Sequence, residues 1–402
     1  MITALFWLFV IIISAGIIAC LGATLCLLRY FRTQAPSPQD DQNNPEASLI
    51  VPIKGVTDTT LRNLQMLLNS DGTQQCEFIF AMEGTADPAF TVCSEVKEQN
   101  PGKNIRILIT GDSGERMGKQ HNLCAAIQSA KHEYICSMDA DVTPNPGLFL
   151  EGIKALSEPK AGIAFSLPYY SGTGPAGGTL LAVHINYYFS LYIGGLAALV
   201  NPPFISGAFW FSTKCTIDII GGLEQFTKVA GDDARMGREC RRHGLRNIML
   251  PRPVRMEYEQ LRLRDGIAHL QKWAGLLRSE GLPIFWAALT IWHPLLFAFP
   301  MLICMFVIHQ TLFPLFFVAL FVKISSVFVS NKRVFGVKPS FQFAGTLLYY
   351  EMIIAPFLFA RGLWKNTLTW KDKTYRIGKD GLIVETTPAR GKQASFVQSG
   401  KE

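Results

Sequence analysis

Residues 1–28 carry no charged side chain, and Arg29 and Arg32 follow at once. A run of that length reaches across the roughly 30 Å hydrocarbon core of a bilayer, so the rest of the chain must fold beside a membrane helix. A cleaved leader would place its basic residues first and finish on small ones. Here the basic residues come after the apolar run, and TQAPSPQDDQNNPE marks a polar linker within 29–46. The positive-inside rule then puts the N-terminus outside and the chain after Arg29 in the cytosol.

Three further apolar segments cluster late, at 284–308, 312–330 and 341–362. The expected organisation is an anchor (1–28), a linker (29–46), a cytosolic domain (47–283), a block of transmembrane or interfacial helices (284–362) and a basic tail (363–402). One early and three late spans would leave that tail outside, whereas Lys365, Lys371, Lys373, Arg376 and Lys379 favour the cytosolic side. One late segment is therefore expected to be re-entrant or interfacial, and 284–308, with Pro294 and Pro300, is the candidate.

The net charge of +7 is spread without a long basic block, and no nucleic-acid motif is present. No nucleic-acid partner is expected, and beside an anchor the basic surface suits anionic headgroups. Nine cysteines show neither CxxC nor zinc spacing, which reads as reduced packing residues.

Between the anchor and residue 283, strand-like and helix-like stretches alternate. ASLIVPIKG (47–55), CEFIFAME (76–83) and NIRILITG (104–111) read as strands, with TTLRNLQMLLNS, PAFTVCSEVKEQN and GKQHNLCAAIQSAK as helices. The fold class is α/β, a mainly parallel sheet covered by helices, whose ligands bind at the carboxyl ends of the strands. Asp139 and Asp141, in CSMDADVTPNP, stand at such an end. A D-x-D there offers hard oxygen ligands to Mg²⁺ or Mn²⁺, which often shares the oxygens of a diphosphate; helix capping is the plainer alternative. Asp87, just before Pro88, suits a base or ribose contact or a helix cap. Asp232 and Asp233 open a helix, where the macrodipole keeps a carboxylate ionised and ready to accept a proton, although N-capping needs one of them too.

The order SLIVPIKGV, FAMEGTADPAF, GKQHNL, CSMDADV, FISGAFWFSTK, GGLEQF, GDDARMGRECRRHG and HLQKWAGLLR resembles the ceramide glucosyltransferase family, membrane-bound inverting glycosyltransferases with a GT-A fold. LTWKDKTYRIGKDG resembles that family's closing W-x-x-x-x-Y-R segment. The family's D, D, D, (Q/R)xxRW signature falls on Asp87, Asp139, Asp233 and Trp273, with His269 in place of Gln/Arg and Lys272 in place of Arg. Lys272 keeps the cation but not the bidentate fork. The resemblance implies a UDP-glucose donor with its base near Asp87 and Lys54, a metal held through Asp139 and Asp141, and phosphates near Lys119 and Lys272. It implies Asp233 as the base that deprotonates the acceptor hydroxyl. His269 and Trp273 would lie on the acceptor and sugar side, and Gly207 where backbone approaches substrate. A Trp after a basic residue on a helix otherwise reads as a packing or interfacial anchor, and a Gly in such a setting as turn chemistry.

The acceptor implied is a membrane lipid, ceramide first. A hopanoid or other lipid alcohol taking glucose or N-acetylglucosamine stays open, because related bacterial enzymes of similar length use one. A processive synthase fits less well, needing more spans, and an inactive membrane scaffold would leave the carboxylates without a joint role. A fifth apolar run, 178–200, holds His184, Asn186, Tyr187, Tyr188 and Tyr192. Asp139 and Asp233 must share one side of the membrane, so a single crossing between them is rejected. Two arrangements remain: an interfacial helix or hairpin whose His184 and tyrosines edge a lipid entry path, or core burial.

Overall fold

The computed structural model describes residues 1–33, 45–171, 174–256, 261–308, 312–338, 340–378 and 380–389. Most of the expected linker, together with Lys379 and residues 390–402 of the tail, lies outside the described residues. The strands are β1 (Ala47–Pro52), β2 (Glu77–Met82), β3 (Asn104–Ile109), β4 (Tyr134–Met138), β5 (Val142–Thr143), β6 (Ala161–Phe165), β7 (Pro168–Tyr170), β8 (Phe209–Thr213), β9 (Arg246–Met249), β10 (Val254–Met256), β11 (Thr367–Trp370), β12 (Lys373–Ile377) and β13 (Ile383–Pro388).

The main sheet has seven strands in the order β3-β2-β1-β4-β8-β6-β9. Only β8 runs against its neighbours; the other pairings are parallel. The apolar character of β1 follows from burial on both faces. Leu49 and Val51 pack with Leu64, Leu67 and Val96 of two helices on one side, whereas Ile50 packs with Leu123 and Ile127 of the helix Gly118–Ser129 on the other. That second core runs without a break into the apolar helices, taking in Cys20, Leu27, Leu347 and Tyr350. The α/β domain and the membrane-type helices therefore share packing.

Among the described residues, four helices are long and apolar enough to cross a membrane: Ile2–Thr33, Ala176–Ala197, Phe313–Arg333 and Phe341–Trp364. The segment singled out for its prolines is broken, with Leu282–Trp292 and Pro294–Ile308 bent by 68°. Pro294 brings no N–H to continue the first helix, so the chain turns there. The 178–200 run takes the core-burial arrangement and not the interfacial one. Its helix is 72% buried inside the protein against 28% for Ile2–Thr33, and Tyr187 and Tyr188 are wholly enclosed. Its polar groups find partners within the protein: Asn186 exchanges hydrogen bonds with the Tyr170 backbone, and His184 Nδ1 lies 2.8 Å from the Tyr350 hydroxyl.

Two further features position the site. The helix Leu263–Ser279 crosses Ala176–Val183 at a pair of glycines; a Cβ on Gly266 would stand 2.7 Å from the Gly177 carbonyl oxygen, so only glycine allows this approach. Residues beyond 363, expected as a basic tail, include the antiparallel sheet β11-β12-β13, with Tyr375 buried.

Candidate active site

β1, β2 and β4 end along one edge of the sheet, and β8, running the other way, begins there. The loops that follow or precede these strands surround a cavity of about 660 Å³. Lys54, Lys119, Asp139, Asp141, His269 and Lys272 all line it. Asp87, Gly207, Asp233 and Trp273 are not in its wall.

Lys119 is the centre of the polar cluster. It sits in the first turn of Gly118–Ser129, pairs with Asp139 at 2.5 Å and donates to the Gly207 carbonyl at 3.0 Å. A Cβ on Gly207 would stand 3.6 Å from both Lys119 Nζ and Asp233 Oδ2, so Gly207 keeps the space between cation and carboxylate open. Burial works against the Lys119 charge, but Asp139, Asp232 and Asp233 hold its pKa up at about 12.

Asp232 and Asp233 begin the helix Asp232–Arg242, yet neither caps it; the cap position is Gly231. Asp233 Oδ1 accepts from the Ala234 N–H at 2.8 Å, and Asp232 accepts from the Gln120 side chain. Burial raises the Asp233 pKa against the opposing pull of the Ala234 N–H and Lys119. Burial, and then the Asp233 charge, push Asp232 up to about 7. The pair can therefore hold or release a proton near neutrality.

Lys272 lies over the Trp370 ring, 3.3 Å from its centroid. Burial pushes its pKa down to about 7; Lys119 and Lys371 add to this, and Asp141 and Asp139 oppose it. His269 is pushed down to about 4 by burial and by Lys272 and Lys371, which leaves a neutral imidazole at pH 7. Trp273 turns to the buried helix, stacking on His184 at 4.9 Å between centroids. Asp87 is a helix cap: its carboxylate accepts from the Ala89 N–H at 2.9 Å and from the Gly55 N–H at 2.9 and 3.0 Å, which holds the turn after Lys54.

Sequence reasoning missed part of the wall. Trp370, Lys371 and Asp372 line the cavity from the β11–β12 turn, and Arg361 and Lys365 line it from the end of the last apolar helix. The W-x-x-x-x-Y-R segment was the available signal for the turn residues. Arg361 and Lys365 carry no comparable signal, because basic residues commonly flank an apolar segment. Among the described residues no group of three or more His, Cys, Asp or Glu stands ready for a metal. Asp139 and Asp141 nevertheless fit Mg²⁺ or Mn²⁺, which binds through one or two carboxylates and fills its shell with water and substrate phosphate oxygens.

A mainly parallel sheet with one reversed strand, covered by helices and with its cavity at the strand ends, makes this a GT-A-like fold. The chain belongs to glycosyl transferase family 21, whose model matches residues 8–383. It is 20% identical over 357 residues to Ceramide glucosyltransferase 3 of Caenorhabditis elegans, covering 86% of this chain and 76% of that one. Its fold is similar to a mannosyltransferase from Pyrobaculum calidifontis solved with GDP-Man and Mn²⁺, at 17% identity and a TM-score of 0.51, covering 88% of this chain and 99% of that one.

Proposed function

We propose that this glycosyltransferase moves glucose from UDP-glucose to the hydroxyl of ceramide, with inversion, on the cytosolic side of a membrane. The observation that carries the reading is the Lys119 cluster, in which one charged lysine touches Asp139 and the Gly207 carbonyl with Asp232 and Asp233 alongside. Lys54, Lys119 and Lys272 face the cavity as cations for a diphosphate. Asp139 and Asp141 would hold a divalent cation, whose charge stabilises the departing diphosphate.

Asp233 takes the proton of the acceptor hydroxyl as that oxygen attacks the anomeric carbon from the side opposite the diphosphate. Its raised pKa makes it a stronger base than an exposed carboxylate, and such general-base help is worth about 10²–10⁴ in rate. Asp87 acts on the donor side by holding the turn that carries Lys54.

Support for a lipid acceptor comes from the apolar part of the wall: Leu358 and Gly362, on the apolar helix Phe341–Trp364, line the same cavity as Asp139. An acceptor held in the bilayer can meet a donor arriving from water there. Support for ceramide comes from the named relative, and support for the cytosolic side from Arg29 and Arg32 behind the first helix.

The test is to incubate the purified full-length protein in detergent with a lipid extract containing ceramide and hopanoids, Mn²⁺ or Mg²⁺, and UDP-glucose, UDP-galactose or UDP-N-acetylglucosamine. New glycolipids are identified by mass spectrometry. Hexosylceramide formed from UDP-glucose is the expected product. A glycosylated hopanoid would replace the acceptor, and no product with any donor would overturn the reading.

A further inference from the structure

Two lysines that line the cavity, Lys54 and Lys272, meet the same short turn. Lys272 Nζ stands 3.3 Å from the Trp370 ring centroid, and Lys54 pairs with Asp372 at 2.8 Å while reaching Glu83 at 3.3 Å. Between Trp370 and Asp372, Lys371 is held at a φ of +52°, a strained conformation for a residue with a side chain. The rear of the C-terminal sheet is fixed to the domain. Lys373 donates to Ser113 Oγ at 2.7 Å and to the Gly114 carbonyl at 3.0 Å. The Ala230 N–H donates to the Gly381 carbonyl at 3.0 Å and the Ile383 N–H to the Lys228 carbonyl at 2.9 Å, just before Asp232. This turn is therefore part of the cavity wall, anchored from behind.

The two contacts differ in kind. An aromatic face attracts an ammonium group without cancelling its charge, so Lys272 in its charged form remains open to an anion. A carboxylate neutralises Lys54 and places a negative charge where a diphosphate must enter.

We propose that Trp370 and Asp372 are positioning residues for donor binding and act with opposite signs: Trp370 holds Lys272 in place to receive the diphosphate, and Asp372 is the resident anion that Lys54 exchanges for it. The inference rests on the donor-site reading above. It makes residues 370–372 a working part of the site, supplied by the C-terminal sheet.

The test is calorimetric binding of UDP with Mn²⁺ to the full-length protein in detergent, with the melting temperature of each variant recorded. Trp370→Leu weakens UDP binding about tenfold, and Trp370→Phe, which keeps an aromatic face, stays within about threefold of the parent. Asp372→Asn tightens it about fivefold, because one negative charge leaves the cavity. Loosening of the C-terminal sheet would weaken binding in every variant, so the opposite signs separate positioning from loss of structure. Unchanged affinity in a folded Trp370→Leu protein, or weaker binding in Asp372→Asn, overturns the inference. Should Trp370→Leu fail to fold, Asp372→Asn decides alone, and failure to tighten overturns it. A parent protein that binds no UDP, and no GDP either, overturns the donor-site reading and this inference with it; a parent that binds while its variants match it overturns this inference alone.

Discussion

Two lysine–carboxylate pairs in this protein sit in opposite surroundings. Lys119 and Asp139 meet at the cavity with 28% and 29% of their side chains exposed, whereas Lys323 and Glu351 pair among the apolar helices at 1% and 0%. The buried pair is tied further into the protein. Lys323 also donates to the Trp292 carbonyl at 2.7 Å, and Glu351 accepts from the Leu295 N–H at 2.9 Å and the Tyr188 hydroxyl at 3.3 Å. Trp292 and Leu295 flank the break before Pro294, so this pair satisfies the backbone groups that a broken helix leaves open. The cavity pair faces space, where an incoming ligand can replace either partner. One pair of charges locks a bend, and the other stays ready to exchange.

That contrast can be broken from either end, and the largest effect is expected at the cavity. Asp233→Asn and Asp139→Ala each lower glycolipid formation by about 10²–10⁴. The melting temperature stays near that of the parent, because Asp139 borders the cavity and Asn in place of Asp233 keeps an oxygen that can accept from the Ala234 N–H. Normal turnover in either variant, read by mass spectrometry, removes the assigned role. The buried pair behaves in reverse. Lys323→Met alone strands a carboxylate and costs about 3–5 kcal/mol, whereas Lys323→Met with Glu351→Leu recovers most of the loss. Thermal unfolding in detergent checks this, and a double variant no better than the single one shows that the pair is not the cause.

A smaller effect concerns pH. Asp232, pushed up to about 7, gains its charge as pH rises through neutrality, and burial raises Asp233 as well, so loss of the proton from this pair makes the base available on the alkaline side. Lys272, pushed down to about 7, loses its charge over the same interval, so donor binding weakens there. Transfer should peak near pH 7 and fall on both sides. Lys272→Arg keeps its charge throughout and should retain about tenfold more of its neutral-pH activity at pH 9 than the parent retains. A pH profile in which the alkaline limb persists assigns that limb to another group.

The smallest expected change is Asp87→Ala, which removes a cap worth about 1 kcal/mol and loosens the Lys54 turn, raising the donor KM a few-fold. A hundredfold loss of donor affinity at unchanged stability would instead make Asp87 a direct nucleotide contact.

Much of this site was legible along the chain. Lys54 follows β1, Asp139 and Asp141 follow β4, and Lys119 opens a helix, so each sits at a strand or helix end that local pattern marks. Gly207 and Asp233 stand beside Lys119, although outside the cavity wall. Trp273 was less legible, because a residue on a helix can face either neighbour. Here the Gly177–Gly266 crossing brings its helix against Ala176–Val183, and Trp273 meets His184. The tyrosines of 178–200 had two equal readings, and packing against Tyr350 and Trp292 selected the interior.

What the sequence by itself determined is the layered α/β sheet, the apolar helices on either side of the domain in chain order, and the aspartates and lysines at the strand ends. Strand and helix periodicity, charge-free length and turn residues are local properties, and each carries its physical cause within a few residues. Only the tertiary structure decided that the C-terminal sheet brings Trp370 to Lys272 and Asp372 to Lys54, and that Lys323 and Glu351 close the bend at Pro294. Those pairs join residues far apart in the chain, and their meeting depends on helix crossings and strand register that are set when whole elements pack.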